Sequence, residues 1–319
     1  MREVRRDPLT GRQVVISTDR PMVPLRVTPL STDPASCPFC PGHEHTTSPT
    51  IAEEIEAGRW VARAFANRAP GLRVEEELRR RGVGPYDWTS GTGAHEVVVE
   101  SAVHAPLHTQ PAPQLAAALR LARDRLADLS NDVRLAHLTW MRNHGAAAGA
   151  SQAHPHAQVL GLPEVPQQSV VMRARCERHH ADRGRSLLGD MVQADREDPS
   201  RLVWEGARTA VIAPWAPSVP FELWIVPLRP GRAFRAAEDS WVDELAEAMH
   251  VALVGLARVL GDNAYNGVLH DVPRGAAADV HWPHFRLLPR VVALGAMEVG
   301  VGTALHAMPP EEAARLLRG

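Results

Sequence analysis

The sequence predicts an α+β fold built from two copies of one unit, each an antiparallel sheet with helices packed on one face. Three observations predict it. Strand, helix, strand, loop and histidine-bearing strand follow one another twice along the chain. β-Branched or alternating runs mark the strands. Two long stretches repeat apolar residues at helical spacing. The two passes match in the order of their elements, which is how an internal duplication of an α+β unit reads.

The elements come in this order. The first 35 residues are rich in Pro and Arg, with short β-prone pieces such as 12–17; CPFCPG follows at 37–42. Residues 95–103, HEVVVESAV, read as a strand with a β-branched run. Residues 113–129, PQLAAALRLARDRLADL, read as a helix with Pro near its start. A strand at 135–142 leads into the loop NHGAAAGAS, and HPHAQVLGLP is again strand-like. In the second pass, 209–213 and 222–227 read as strands, 239–260 as a long amphipathic helix, and 266–270 and 281–288 as strands. Residues 165–205 are polar, charged and weakly periodic, and join the halves. The closing PPEEAARLLR is a helix with Pro at its start. The expected organisation is an N-terminal half, 1–164, a connecting segment, 165–205, and a C-terminal half, 206–319, forming one compact unit.

Composition excludes several chemistries. All 35 basic residues among the 319 are Arg, and there is no lysine. Schiff-base and PLP-lysine chemistry, a P-loop and a lysyl-AMP mechanism are therefore out. Net charge is -2, so no nucleic acid or anionic membrane is expected as partner. No apolar run approaches the ~20 residues that span a bilayer. MREVRRDPLTGR lacks the apolar stretch of a signal peptide, and three cysteines are too few for a disulfide scaffold. A cytoplasmic protein is expected.

Ser151-Gln-Ala-His154-Pro-His156-Ala-Gln158 is the sharpest local signal. On an extended strand His154, His156 and Gln158 fall on one face. Two imidazoles and an amide side by side are an unusual core face. Before them runs Gly145-Ala-Ala-Ala-Gly149-Ala-Ser151, whose small residues let a ligand approach backbone amides. The bland alternative is a surface strand with incidental histidines.

Cys37-Pro-Phe-Cys40 is either half a metal site or a redox pair. Pro38, Pro41 and Gly42 prevent a helix from starting at the first cysteine, which favours a zinc knuckle over a thioredoxin-like turn. The third cysteine, Cys176, is solitary, so the other ligands are His or carboxylate, with His104 and His154 as candidates. Two unligated structural thiols are the alternative.

HPHAQ behind a small-residue loop resembles the active-site motif of the galactose-1-phosphate uridylyltransferase family, a duplicated member of the histidine-triad superfamily. The resemblance runs through DPLTGRQVVISTDRP, CPFCPG, FANRAP, AHEVVVESAVH, APWAPSVPFELWIVP, HWPHFRLLPR and GAMEVGVGT in that order. It implies duplicated histidine-triad-like units. It makes His156 the nucleophile that takes a nucleoside monophosphate, UMP above all, from a nucleotide sugar and hands it to a sugar 1-phosphate. Gln158 stands where histidine-triad hydrolases carry a third His; its amide can donate to a phosphoryl oxygen but cannot act as general acid or base. The resemblance places Arg20, Asn67, Asn143, Gly149 and Ser151 at the nucleotide and its phosphates, and Glu298 at the sugar. It completes a structural Zn2+ site from Cys37, Cys40, His104 and His154, with no open position. A homodimer is implied, in which Glu298 serves the neighbouring subunit.

The sequence also departs from the family. Val23 stands where a second Arg is usual, and Ala296 replaces a usual Gly. The second-half motif reads His281-Trp-Pro-His284 rather than H-x-H, and Pro163-Glu-Val-Pro-Gln-Gln168 supplies no Glu at the family spacing. A second metal at His270, His281 and His284 is therefore not expected. Within the same class, a phosphorylase that uses phosphate or sulfate as acceptor, on an ADP-sugar or similar donor, is the alternative to uridylyl transfer. A histidine-triad hydrolase is disfavoured by Gln158. A non-catalytic, zinc-stabilised nucleotide-binding protein is the alternative of another class.

Overall fold

The computed structural model describes residues 2–20, 25 and 30–319. Its strands are β1 (Arg2–Arg6), β2 (Gln13–Ser17), β3 (Thr50–Glu56), β4 (Arg59–Ala66), β5 (Arg80–Val83), β6 (Tyr86–Thr89), β7 (Ala94–Val99), β8 (His137–His144), β9 (His156–Leu162), β10 (Leu202–Glu205), β11 (Thr209–Ile212), β12 (Leu223–Pro227), β13 (Tyr265–His270), β14 (His284–Pro289) and β15 (Ala304–His306). Its α-helices are α1 (Ala112–Leu129), α2 (Gln167–Arg183), α3 (Leu187–Glu197), α4 (Asp239–Leu260) and α5 (Pro310–Arg318).

Ten strands form one sheet in the order β10-β11-β12-β14-β13-β8-β9-β7-β4-β3. Counted outward from its middle, one side runs β8, β9, β7, β4, β3 and the other β13, β14, β12, β11, β10. The two lists match element for element, and α1 precedes β8 as α4 precedes β13. The expected duplication is therefore realised, but as one continuous sheet. β8 and β13 pair antiparallel at the junction, with Asn143 opposite Asn266. A small sheet, β1-β2-β15, brings the two ends of the chain together.

The repeat extends to residues. Gly145-Ala-Ala-Ala precedes Pro155-His156, and Gly275-Ala-Ala-Ala precedes Pro283-His284. Both glycines have positive φ, and both histidines are the first residues of their strands. Proline lacks an N–H for the ladder, so pairing starts one residue later. For this reason β9 begins at His156 rather than at His154, and β14 at His284 rather than at His281.

The two faces of the sheet differ. Ala94, Val98, Trp140, Ala157 and Val159 of the first half, and Leu223, Ile225, Leu269, Phe285 and Leu287 of the second, pack against α1 and α4 in a single core. On the opposite face of the second half, α2 and α3 cover Ala210, Ile212, Trp224 and Val226 with Met172, Cys176, Leu188 and Val192. The connecting segment is thus helical and packed. Only Met172 and Cys176 of α2 are buried, a stripe too thin to read as periodicity. Among the described residues, the same face of the first half has no such helical cover. Phe39 and Trp60 close only its end over Phe65, Val97 and Val99. Among the described residues, helices therefore cover this face of the sheet in the second half alone.

Candidate active site

The Cys37–Cys40 turn is closed by the Cys40 N–H donating to the Cys37 carbonyl at 3.4 Å. The Phe39 N–H points at Cys37 Sγ, also at 3.4 Å. Cys37, Cys40, His104 and His154 bring one ligand atom each to within 4.8 Å of one another, and three of the four are buried. His154 Nδ1 lies 3.5 Å from both sulfurs, and His104 Nδ1 lies 3.2 Å from Cys40 Sγ. A tetrahedral zinc with ordinary bond lengths needs sulfur–nitrogen separations of about 3.5 Å. His154 Nε2 donates to the Ser101 carbonyl at 2.8 Å, which leaves Nδ1 unprotonated towards the thiols. The donor set can hold a metal. His104 lies beyond the end of β7, because pairing stops at Val99; the Ser101 hydroxyl then accepts from Val103 N–H and donates to Gln110.

His156 leaves this cluster on the open face. Its Nδ1 donates to the His154 carbonyl at 2.9 Å, so the lone pair sits on Nε2. The ring packs edge-on against Phe39 at 5.2 Å. Burial pushes its pKa down to about 4. A neutral imidazole with a fixed tautomer is a nucleophile by default. The knuckle thus holds the chain just before His156, and Phe39 of the knuckle packs against the His156 ring itself.

Gln158 follows on the same face, one pair along. Its Oε1 lies 2.5 Å from His95 Nε2 on β7. His95 Nδ1 accepts from the Gly71 N–H at 3.1 Å. Asn67 Nδ2 lies 3.0 Å from His95 Nε2, and Asn67 Oδ1 accepts from Ala69 N–H. Asn67 and Gln158 therefore converge on one ring.

Asn143 faces the small-residue loop. Its Oδ1 accepts from Asn266 Nδ2, which also donates to the Ala148 carbonyl, both at 2.8 Å. Its own Nδ2 is left as a donor near Gly149, where a Cβ would stand 3.9 Å away. Gly145 has φ +77°, and a Cβ there would come within 2.8 Å of Ala264. The loop is held close to β13 because that position has no side chain. Ser151 is exposed in this loop.

The site residues expected from sequence divide into three groups. The four sulfur and nitrogen ligands converge. His156, Gln158, Asn67, Asn143, Gly149 and Ser151 belong to the open face and its loops. Arg20 and Glu298 are brought together elsewhere, in a pocket of about 230 Å³ lined also by Ala296, Leu305 and His306. The Glu298 carboxylate accepts from the Gly295 and Leu305 N–H groups. Val23 lies outside the described residues.

His270 and His284 stack at 4.9 Å, and His284 also lies against Trp224. Among the described residues, the only group of three or more His, Cys or acidic side chains that could hold an ion is the Cys37 group. A cavity of about 420 Å³ lies under α2 beside His270, His281 and His284. It contains none of the HPHAQ residues.

Sequence reading missed His95 and Asn266. His95 was visible as the first letter of HEVVVES but read only as strand. Asn266 becomes relevant only through its pairing with Asn143.

Known proteins resemble this chain along its length. The profile described as galactose-1-phosphate uridyl transferase, N-terminal domain, matches residues 1–166. An ADP-glucose phosphorylase of Arabidopsis thaliana is 27% identical over 331 aligned residues, covering 99% of this chain and 92% of that protein. A galactose-1-phosphate uridylyltransferase of Thermotoga maritima is 24% identical, covering 100% and 98%. The solved structure of a GalT-like protein from Arabidopsis thaliana superposes with a TM-score of 0.85 at 26% identity, covering 99% of this chain and 98% of that one.

Proposed function

The chain belongs to the galactose-1-phosphate uridyl transferase family, and from that premise we propose a double-displacement nucleotidyl transfer through His156. Nε2 attacks the α-phosphorus of a nucleotide sugar. The P–O bond to the β-phosphate breaks and a sugar 1-phosphate leaves. A phosphate oxygen of the acceptor then attacks the same phosphorus, the P–N bond breaks, and the imidazole is regenerated. The observation that carries this reading is the His156 Nδ1–His154 carbonyl bond, which commits the ring proton away from the reacting nitrogen.

Gln158, Asn143 and the backbone amides of 149–151 meet the charge on the phosphoryl oxygens. No lysine exists for that task. Because Gln158 cannot act as a general base, it gives water no help in attacking the intermediate, which favours transfer over hydrolysis. Asn67 lies on the nucleotide side. Cys37, Cys40, His104 and His154 would hold a structural Zn2+, which would supply rigidity rather than chemistry.

The leading donor and acceptor are a UDP-sugar and a sugar 1-phosphate. A phosphorylase acting on an ADP-sugar is the second reading, favoured by the 27% identity to ADP-glucose phosphorylase over nearly the whole chain. The enzyme is taken to be a cytoplasmic homodimer; no helix among the described residues is long and apolar enough to cross a membrane. The separation of Arg20 and Glu298 from His156 supports their serving the other copy's pocket. Residues 1–164 and 206–319 are the two duplicated halves, joined by 165–205.

Isotope exchange tests the reading. Labelled glucose 1-phosphate should enter UDP-glucose, or ADP-glucose, with no second substrate present. Exchange with neither would overturn double displacement. Turnover of the exchanging sugar with galactose 1-phosphate, as against inorganic phosphate, separates transferase from phosphorylase.

A further inference from the structure

We propose that His95 is a positioning residue for Gln158, turning the glutamine amide so that its nitrogen and not its oxygen faces the phosphoryl group. This rests on the reading of Gln158 as a phosphoryl donor and adds the residue that makes it one.

A glutamine amide has a donor end and an acceptor end, and its last torsion is nearly two-fold. Left alone, it can present either. Presented to a phosphate, Nε2 attracts and Oε1 repels. The ends are therefore not interchangeable, and something must choose between them.

The choice follows from a backbone amide two hydrogen bonds away. Gly71 N–H can only donate, and it points at His95 Nδ1 at 3.1 Å. Nδ1 is therefore unprotonated, and the ring carries its proton on Nε2. Nε2 lies 2.5 Å from Gln158 Oε1, so Nε2–H donates to that oxygen. With Oε1 held towards β7, the two N–H bonds of Gln158 point away from His95.

The loop around the ring is fixed by backbone hydrogen bonds. Asn67 N–H donates to the His95 carbonyl at 2.9 Å, and Asn67 Oδ1 is occupied by Ala69 N–H. Asn67 Nδ2 lies 3.0 Å from Nε2, which cannot accept from it while bearing the proton that the Gly71 contact requires, so in this tautomer the amide must turn its N–H bonds elsewhere. On the sheet, His95 pairs with Leu160 and Gln158 with Val97. His95 and Gln158 are diagonal neighbours on one face, within reach of two long side chains. The half-buried ring is thus fixed by residues 67–71 on one side and reads out on Gln158 on the other.

The test uses the full-length enzyme, with UDP-glucose and ADP-glucose each as probe. It follows the single-turnover rate of His156 nucleotidylation by rapid quench and intact-protein mass. His95→Leu should lower the rate about 10- to 100-fold while the apparent KM moves less than about 3-fold. His95→Gln, which still offers an N–H, should recover most of the loss. His95→Glu, the same size but acceptor-only, should be at least as slow as His95→Leu. This pair keeps the test valid should the leucine variant fold poorly. In a Gln158→Ala background, His95→Leu should cost nothing further.

A fully active His95→Leu or His95→Glu overturns the inference. So does a His95→Leu loss of equal size with and without Gln158. A Gln158→Ala enzyme of undiminished rate removes both Gln158 and His95 from the mechanism and leaves His156 in place. Adduct formation on a His156→Ala enzyme defeats the reading of the site itself.

Discussion

The Nδ1 proton of His156 is committed to a backbone carbonyl, and the Nε2 proton of His95 to a side-chain oxygen. Two imidazoles on adjacent strands thus have opposite tautomers, each dictated by a neighbour that can only donate or only accept. On the proposed mechanism, reaction and support are divided accordingly: a lone pair for attack on one ring, a fixed proton for orientation on the other. His156→Ala should abolish transfer, and exchange assays should read only background. Gln158→Ala should lower the chemical step by about 10²–10³, the usual cost of one preorganised donor, with little change in KM. Single-turnover rates at saturating nucleotide sugar measure this. These roles were only half legible in the sequence. HPHAQ announces itself because two histidines and a glutamine at period two suit no ordinary core. His95 does not, because a histidine opening a β-branched run has no local feature that points across two strands.

Elements decide which side chains meet. The knuckle at 37–40, the turn after β7 and the start of β9 are far apart in sequence and converge on one donor set. Cys40→Ser should therefore lose bound zinc and ~4 kcal/mol or more of stability together. Metal analysis alongside thermal denaturation checks it, and a wild-type protein without zinc contradicts it. The second half has its own clamp. Glu222 is buried on the segment entering β12 and accepts from Arg286 of β14, the Trp224 indole and Ser218. Burial alone would raise its carboxyl, but Arg286 and the hydrogen bonds more than reverse this, and its pKa lies below the ordinary value. A carboxylate with a lowered folded pKa gives stability that is present above its ordinary value of about 4.3 and is lost as pH falls through the folded pKa. Glu222→Gln should cost about 3–5 kcal/mol near neutral pH and flatten the acid side of the stability profile. Denaturant melts from pH 3 to 7 measure both. Strand and helix cores were legible from periodicity. Strand ends were not, since the Pro residues at 155 and 283 and the Ser101 hydroxyl set them by hydrogen-bond supply. The helices at 167–183 and 187–197 read as a plain connector because their buried stripe is thin.

The whole molecule is two copies of one unit put to different uses. The connecting helices cover the second copy's face, and the corresponding face of the first copy carries His156 and Gln158. The duplication was legible in the order of elements. Its stronger signature, GAAA followed by PH in each half, lies in residues that look like loop filler until the strands are superposed. That the halves share a sheet was not legible, because the β8–β13 pairing depends on contacts between residues over a hundred apart. If Arg20 serves a second copy, then mixing subunits of His156→Ala and Arg20→Ala, each nearly inactive alone, should restore about a quarter of full activity through mixed dimers with one intact site. No restoration on verified mixing would place both residues in one subunit's site. The claim on which all else depends is the covalent nucleotidyl-histidine. Intact-protein mass analysis after incubation with UDP-glucose or ADP-glucose, followed by peptide mapping, measures it directly. The account predicts a single UMP or AMP adduct, located on His156, that disappears when the acceptor is added. No adduct with either nucleotide sugar or with a nucleoside triphosphate, or an adduct on another residue, would contradict it.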